Sequence, residues 1–317
     1  MSRVLVTGAT GFIGTPLCER LAQSGHVVRA AVRAERPVPP YIAETVVTSD
    51  IGAATDWGAA LRGVDLVVHA AARVHVLRPE ASAEGLYMET NARGTERLAQ
   101  AAVAAGVRRF VYLSSIKVNG EDSAQRAYRA DDVPDPRDAY ARSKLEGERL
   151  LRQAAAASTM EAVIVRPPLV YGTGVRANFL RLMRWVDRRW PLPFASIHNQ
   201  RSLLSVWNLS DLIATLLVSH RPASGVWLVS DGEDLATAEL LRRLGHALGR
   251  PVHLLPIPAA LLRACGTLSG RGAELRRLCG SLTVSTEATR AAFSWSAPLG
   301  VDAGLARTAA WYRAQRH

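Results

Sequence analysis

The run Thr7-Gly8-Ala9-Thr10-Gly11-Phe12-Ile13-Gly14 constrains this chain more than any other part of it. It follows directly on the short apolar segment Arg3–Thr7 and opens a helix-like stretch, Ile13–Ser24, closed by Gly25. Gly8 permits a tight turn, Gly11 lets backbone approach a pyrophosphate, and Gly14 allows a helix to pack hard against a strand. The N-terminus of that helix offers unpaired N–H groups and a positive dipole end to an anion. Glycines are common in loops. Between a strand and a helix, however, they predict a dinucleotide site formed by Gly8, Thr10, Gly11, Phe12, Ile13 and Gly14.

The chain beyond this turn keeps the same rhythm. Val27–Val32, Thr45–Thr48, Asp65–His69, Arg109–Leu113 and Ala162–Arg166 are short and rich in Val, Leu and Ile, as strands are. Between them, Glu89–Ala105, closed by Gly106, and Tyr140–Ala157 read as helices. Strands alternating with helices predict an α/β protein with a Rossmann-type doubly wound parallel sheet. After Pro167 the pattern loosens into shorter, proline-punctuated elements. The expected division is a nucleotide-binding domain over 1–170 and a smaller α+β substrate lobe over 171–317. Segments near 201–230, namely Arg201–Val206 and Val226–Val229, are expected to return to the main sheet.

Composition narrows the class further. With 317 residues, 48% hydrophobic and 21% charged, the chain can build a large core and a second lobe. No run of about 18 apolar residues occurs, so no membrane insertion is expected. Met1-Ser2-Arg3 leads straight into a strand without a secretory apolar region, and Cys18, Cys265 and Cys279 are few and scattered. A reducing, cytoplasmic setting without a disulfide framework or a metal cluster is the expectation. The net charge of +11 comes from dispersed arginines and underlies no nucleic-acid recognition motif. Its functional reading is attraction of an anionic cofactor and substrate, not of a nucleic acid.

A cofactor preference is suggested where the second strand ends. An acidic residue there would hold an adenine-ribose diol, but the sequence runs Val32-Arg33. Arg33, with Arg36, could pair with a 2′-phosphate, which favours NADP(H) while leaving NAD(H) possible. Asp50 and Ile51, after the third strand, are placed to approach the adenine. His69-Ala70-Ala71-Ala72, after the fourth, offers small residues that can pass close to the cofactor.

The chemistry is expected at Tyr140-Ala141-Arg142-Ser143-Lys144, with Tyr140 and Lys144 one helical turn apart on one face. The chain contains seven tyrosines and only two lysines, Lys117 and Lys144. Random placement would give roughly 0.04 such pairs. An ammonium beside a phenol favours the phenolate and makes a general base near neutral pH. It can also hold the nicotinamide-ribose hydroxyls. Ser114 and Ser115, ending the fifth strand, could supply a hydroxyl to the reacting oxygen. Lys117 reads either as a loop residue or as a substrate contact.

Taken together these residues resemble the extended short-chain dehydrogenase/reductase family, in its nucleotide-sugar epimerase/dehydratase branch. The resemblance spans nearly the whole chain. It adds to the motifs above Asn91 with Gly94-Thr95, Arg166-Pro167, Val170-Tyr171-Gly172, Arg201, and the tail Phe293-Ser294-Trp295 to Trp311. Ser114 to Gly120 and Arg166 to Phe179 are similar to the UDP-glucose 4-epimerase-like subgroup. That subgroup includes 4-ketoreductases that form UDP-N-acetylquinovosamine for bacterial surface polysaccharides.

The resemblance implies roles by position. Tyr140 would be the catalytic base and acid, Lys144 its pKa-lowering, ribose-holding partner, and Ser115 the hydroxyl on the sugar 4-oxygen. Ala70, Ala71, Ala72, Asn91 and Pro167 would line the cofactor. Asn178 and Arg201 would meet a UDP diphosphate, Phe194 the uracil, and Arg73, His75 and Lys117 the substrate. It also implies a homodimer through the helices at Glu89–Ala105 and Tyr140–Ala157. Dehydratases of the branch carry an Asp-Glu pair after the hydroxyl residue, where this chain has Ile116-Lys117, so dehydration is not expected. Leu169 and Asn119 also depart from the galactose-epimerase pattern. The implied reaction is oxidation or reduction at C4 of a UDP-sugar through a 4-keto sugar, by a 4-ketoreductase or a 4-epimerase. A non-catalytic NADP-responsive regulator would not need the Tyr140–Lys144 pair.

Overall fold

In the computed structural model, which describes residues 1–74, 80–268 and 272–315, the alternation becomes a sheet wrapped by helices. The first part of the chain runs β1 (Arg3–Thr7), α1 (Gly14–Gln23), β2 (Val27–Val32), β3 (Glu44–Val47), α2 (Gly58–Leu61), β4 (Leu66–His69) and α3 (Glu80–Tyr87). A π-helical stretch (Met88–Arg93) leads into α4 (Gly94–Ala104), followed by β5 (Arg109–Leu113), α5 (Ala139–Ala155) and β6 (Glu161–Arg166). The remainder comprises β7 (Leu169–Tyr171), α6 (Ala177–Asp187), β8 (Arg201–Ser205), α7 (Val206–Val218), β9 (Gly225–Leu228) and β10 (Asp234–Leu235). Helices α8 (Thr237–Leu248), α9 (Ala259–Leu268), α10 (Gly272–Cys279), α11 (Glu287–Phe293) and α12 (Val301–Ala314) complete it.

Seven strands form one parallel sheet in the order β3-β2-β1-β4-β5-β6-β9. Both faces of the central strands are covered, so β1, β4 and β5 are buried almost throughout and alternate residues enter different cores. Val4 and Val6 of β1 pack with Leu17 and Leu21 of α1 and Leu209 and Ile213 of α7. Leu5, between them, packs on the opposite side with Leu98 of α4 and Leu151 of α5. Strand order reverses between β1 and β4, and a crevice beyond the carboxyl ends at such a switch point is where α/β sheets bind ligands.

Arg201–Val206 does not return to this sheet, contrary to the sequence expectation. β8 instead lies in a second, three-stranded sheet, parallel to β7 and antiparallel to β10. The edge of β6 is taken by β9, from Val163 opposite Gly225 to Arg166 opposite Leu228, which leaves no place for β8. β8 therefore bridges two cores. Its Leu204 belongs to the main one, whereas Leu203 joins the core of α6, α8 and α12.

Glu89–Ala105 is likewise not one uniform helix. The Asn91 carbonyl accepts hydrogen bonds from the Thr95 hydroxyl (2.8 Å) and the Tyr112 hydroxyl (2.9 Å), where the chain widens into the π-helical stretch. Among the described residues no helix is long and apolar enough to cross a membrane.

Candidate active site

β1 delivers its last residue, Thr7, to the crevice, and Gly8 follows with φ of +68°. A Cβ on Gly8 would lie 2.8 Å from the Ala71 nitrogen, and one on Gly14 only 2.0 Å from the Gly8 carbonyl oxygen. Both glycines are thus demanded by close approach of backbone. The Gly11 N–H closes the turn on the Gly8 carbonyl at 2.9 Å, and Thr10 and Gly11 are exposed. Phe12 packs against the core of α6, α8 and α12, tying the turn to it.

At the far edge, Arg33 and Asp50 face each other at 3.8 Å, both side chains 84% exposed. Arg36 reaches the Thr10 hydroxyl at 3.4 Å. Ile51 is half-buried against the backbone of Gly94, where a Cβ would lie 2.5 Å from its Cγ2.

The floor of the crevice is a wired chain of hydrogen bonds. The Ala71 N–H donates to Thr7 Oγ1 (3.2 Å), and the Thr7 hydroxyl proton is free to go to His69 Nδ1 (2.6 Å). His69 Nε2 then carries the proton and donates to Thr95 Oγ1 (3.1 Å), whose hydroxyl donates to the Asn91 carbonyl. Every partner suits a neutral imidazole. Burial, with the Lys144 charge second, pushes the His69 pKa down to about 3. The chain holds Ala70–Ala72 against the glycine turn.

Asn91, expected against the cofactor, is spent on the scaffold. Its Oδ1 accepts from the Arg73 N–H (2.8 Å), and its Nδ2 donates to the Arg73 carbonyl (2.9 Å) and to Ser143 Oγ (3.0 Å). One amide thereby joins the loop after β4 to α5. Pro167 is buried, and its carbonyl accepts from the Ile116 N–H at 3.0 Å.

α5 begins at Asp138, an extended residue whose carboxylate accepts from the Ala141 N–H at 2.8 Å. This cap places Tyr140 in the first turn and Lys144 one turn later. Burial and the Asp138 charge push the Tyr140 phenol above its ordinary value, while the adjoining Ser115 hydroxyl pulls it back. Lys144 is 1% exposed, its Nζ lies 4.1 Å from the centre of the Tyr112 ring, and that Nζ has no hydrogen-bond partner. Burial lowers its pKa from 10.5 to about 7, and the Glu148 charge opposes the fall. A buried ammonium without an acceptor, beside a glycine cradle that side chains would fill, fits the ribose and pyrophosphate of a nicotinamide dinucleotide.

Several expected substrate contacts are engaged elsewhere. Lys117 Nζ is held by Asp138 at 2.5 Å and Glu121 at 3.5 Å, so its charge is neutralised at the mouth of α5. Phe194 is 2% exposed inside the core of α6, α8 and α12, where no ring could stack on it. Arg201 Nη1 donates to the carbonyls of Arg277 (2.5 Å) and Gly280 (3.0 Å), capping the end of α10. No carboxylate of the described residues lies in ion-pair range of Arg201, and burial lowers its pKa. Asn178 sits half-buried in the first turn of α6 and accepts from Arg181 at 2.6 Å. The Arg73 side chain is exposed, with its Nε 3.4 Å from Thr90 Oγ1, and His75 lies outside the described residues.

Sequence reading missed what stands behind the lysine. Glu148 is wholly buried, accepts from the Arg166 guanidinium through both oxygens (2.8 and 2.5 Å) and is bonded by the Ser114 hydroxyl. Arg166 Nη1 also donates to Asn119 Oδ1 at 3.0 Å. The signal was present: Tyr140, Lys144 and Glu148 follow at successive fourfold spacing on one helix face.

The NAD dependent epimerase/dehydratase family model matches residues 4–220. A UDP-glucose 4-epimerase of Vibrio cholerae is 43% identical over 310 residues, covering 96% of this chain and 94% of that protein. A ceramide reductase of Caulobacter vibrioides is 29% identical over 98% of this chain and 94% of its own length. The solved structure of MoeE5 in complex with UDP-glucose and NAD superposes with a TM-score of 0.78, at 28% identity, covering 99% of this chain and 100% of that one.

Proposed function

The chain belongs to the NAD dependent epimerase/dehydratase family, and from that premise we propose that it oxidises or reduces C4 of a UDP-linked hexose or N-acetylhexosamine through a 4-keto sugar. The observation that carries this reading is the partnerless Nζ of Lys144, buried one turn below Tyr140 and adjoined, through the phenol, by Ser115. The nicotinamide, when bound, supplies or accepts the hydride. The turn from Gly8 to Gly14 presents backbone N–H groups to the pyrophosphate. Lys144 would donate to the ribose hydroxyls of the bound cofactor, and those acceptors would stabilise its ammonium. The ammonium in turn lowers the cost of the Tyr140 phenolate, offsetting the burial that raises it. Phenolate Tyr140 takes the proton of the sugar 4-hydroxyl in oxidation and returns it to the 4-oxygen in reduction. Ser115 hydrogen-bonds that oxygen and keeps it against the phenol.

The favoured outcome is a 4-ketoreductase using NADP(H), in the supply of bacterial surface polysaccharide precursors. Its support is the end of β2, where Val32-Arg33 stands in place of an acid and Arg36 lies against Thr10. The Arg33–Asp50 pair is long and exposed, so a 2′-phosphate could displace Asp50 at small cost. The second outcome, a 4-epimerase with retained NAD(H), is supported by the likeness to the Vibrio cholerae enzyme. Dehydration has no support: Ile116 cannot act on protons, and Lys117 is bound to Asp138. The reading includes a homodimer in the cytoplasm, joined through α4 and α5.

The assay incubates the protein with UDP-sugars and UDP-4-keto sugars, with and without NADPH or NADH. Stoichiometric NADPH consumption on a 4-keto sugar supports the reductase. Inversion at C4 without net cofactor use supports the epimerase and overturns the reductase. No C4 chemistry on any UDP-sugar overturns both. Tyr140→Phe is expected to lose about 10³-fold in turnover while keeping cofactor affinity.

A further inference from the structure

Lys144 is a cation enclosed by protein, and among the described residues the carboxylate that acts on it, Glu148, lies on its own helix.

 The groups facing it are Tyr140 and Glu148 of α5, Tyr112 of β5 and His69 of β4. Tyr112 and His69 are both held neutral by burial. Glu148 is therefore the anion that acts on the lysine. It cannot turn away, because Arg166 grips both of its oxygens, the half-exposed Arg152 lies 3.7 Å from one of them, and Ser114 bonds one from the end of β5. Arg166 is fixed in turn by Asn119 and is 2% exposed.

We infer that Glu148 is a positioning residue for the Lys144 ammonium: its carboxylate, locked from behind by Arg166 and Ser114, balances that cation across one turn of α5. The inference deepens the proposed function and rests on it for its catalytic meaning. Without the carboxylate the pocket would hold the ammonium of Lys144 beside the unpaired guanidinium of Arg166, and Lys144 would lose its proton first. A neutral amine can neither favour the Tyr140 phenolate nor act as a charged donor to ribose hydroxyls. The buried pair thus protects the charge on which the base depends, while touching no reactant itself.

Because the chain has only two lysines, each can be followed separately. The experiment labels lysine with ¹³C at Cε and titrates the full-length, cofactor-free protein by NMR. Lys144 is expected to titrate near 7 in the wild type. In Glu148→Gln its midpoint should fall by about one pH unit. Glu148→Gln combined with Arg166→Gln removes both charges and guards against misfolding from an unpaired arginine. That double variant should still titrate below the wild type. An unmoved or raised midpoint in Glu148→Gln overturns the inference, as does a double variant that returns to the wild-type value. If the single variant does not fold, the double variant decides. In turnover, the alkaline limb of the kcat/KM profile should move down with the midpoint, whereas a merely structural role would lower Tm and leave the limb in place. The NMR readout needs no substrate. Failure of the wild type on every UDP-sugar would refute the proposed function, and an unmoved midpoint would refute this inference alone.

Discussion

Replacing Lys144 by methionine should make the unliganded protein more stable while ending its chemistry. In the unfolded chain this lysine keeps its proton up to about 10.5, but in the folded protein only up to about 7. Between those values the unfolded state binds more protons than the folded one. Wild-type stability therefore rises as pH climbs from 7 and levels off above 10.5, and it is lost as pH falls back through that window. Each tenfold change in proton affinity corresponds to about 1.4 kcal/mol, which puts the cost of the buried lysine at about 4 kcal/mol at pH 7. Solvent screening does not reduce this, since the residue is 1% exposed. Methionine keeps the length and the apolar contacts but loses the cation–π contact with Tyr112, a loss of about 1 kcal/mol. The expected net gain is about 3 kcal/mol at pH 7. Urea unfolding of both proteins at pH 7, 8.5 and 10 measures it, and the advantage of Lys144→Met should shrink steadily across the series. A variant no more stable than wild type at pH 7, or a difference independent of pH, would refute the reasoning. The same logic requires cofactor binding at pH 8 to take up a proton, because ribose hydroxyls give Nζ the acceptors it lacks.

Three further outcomes follow from the geometry. Gly14→Ala drives a Cβ to within 2.0 Å of the Gly8 oxygen. It should cost about 3 kcal/mol in a thermal melt and weaken nicotinamide-dinucleotide binding by over about 100-fold in a fluorescence titration. The His69 pKa falls from 6.5 to about 3, so its contribution is intact above pH 6.5 and is lost as pH drops toward 3. Acid unfolding should steepen in that window by up to about 5 kcal/mol, and His69→Gln should flatten it. Phe194→Ala should lower stability by about 3–5 kcal/mol and leave cofactor affinity unchanged, since the ring lies in the core of α6, α8 and α12. A Phe194→Ala protein of normal stability that has lost UDP-sugar affinity would restore the ring to the substrate site.

Local pattern was legible wherever one residue's job depends on its near neighbours. The glycine turn is such a case, as are the strand runs and the one-turn spacing of Tyr140 and Lys144, each readable from backbone sterics and helical period. The roles of Asn91, Lys117 and Phe194 were not. Asn91 could have met a cofactor, but its amide is filled by Arg73 and Ser143. Lys117 could have met a substrate, but Asp138 and Glu121 neutralise it first. In each case a partner distant in sequence decided how the side chain was spent. β8 went to the second sheet for the same kind of reason: β9, which comes later in the chain, occupies the edge of β6.

The glycine turn of Thr7–Gly14 shows both sides of that division. The sequence by itself determined that a strand must end, turn tightly and enter a helix there, because glycine most readily adopts the positive φ of Gly8 and leaves room for the backbone contact at Gly14. It determined equally that Tyr140 and Lys144 share a face. Only the tertiary structure decided that Lys144 would be buried without an acceptor, beneath Tyr112 and ahead of the locked Glu148–Arg166 pair. Desolvation and long-range charge depend on what several strands and helices bring to one place, and no window of sequence contains that sum.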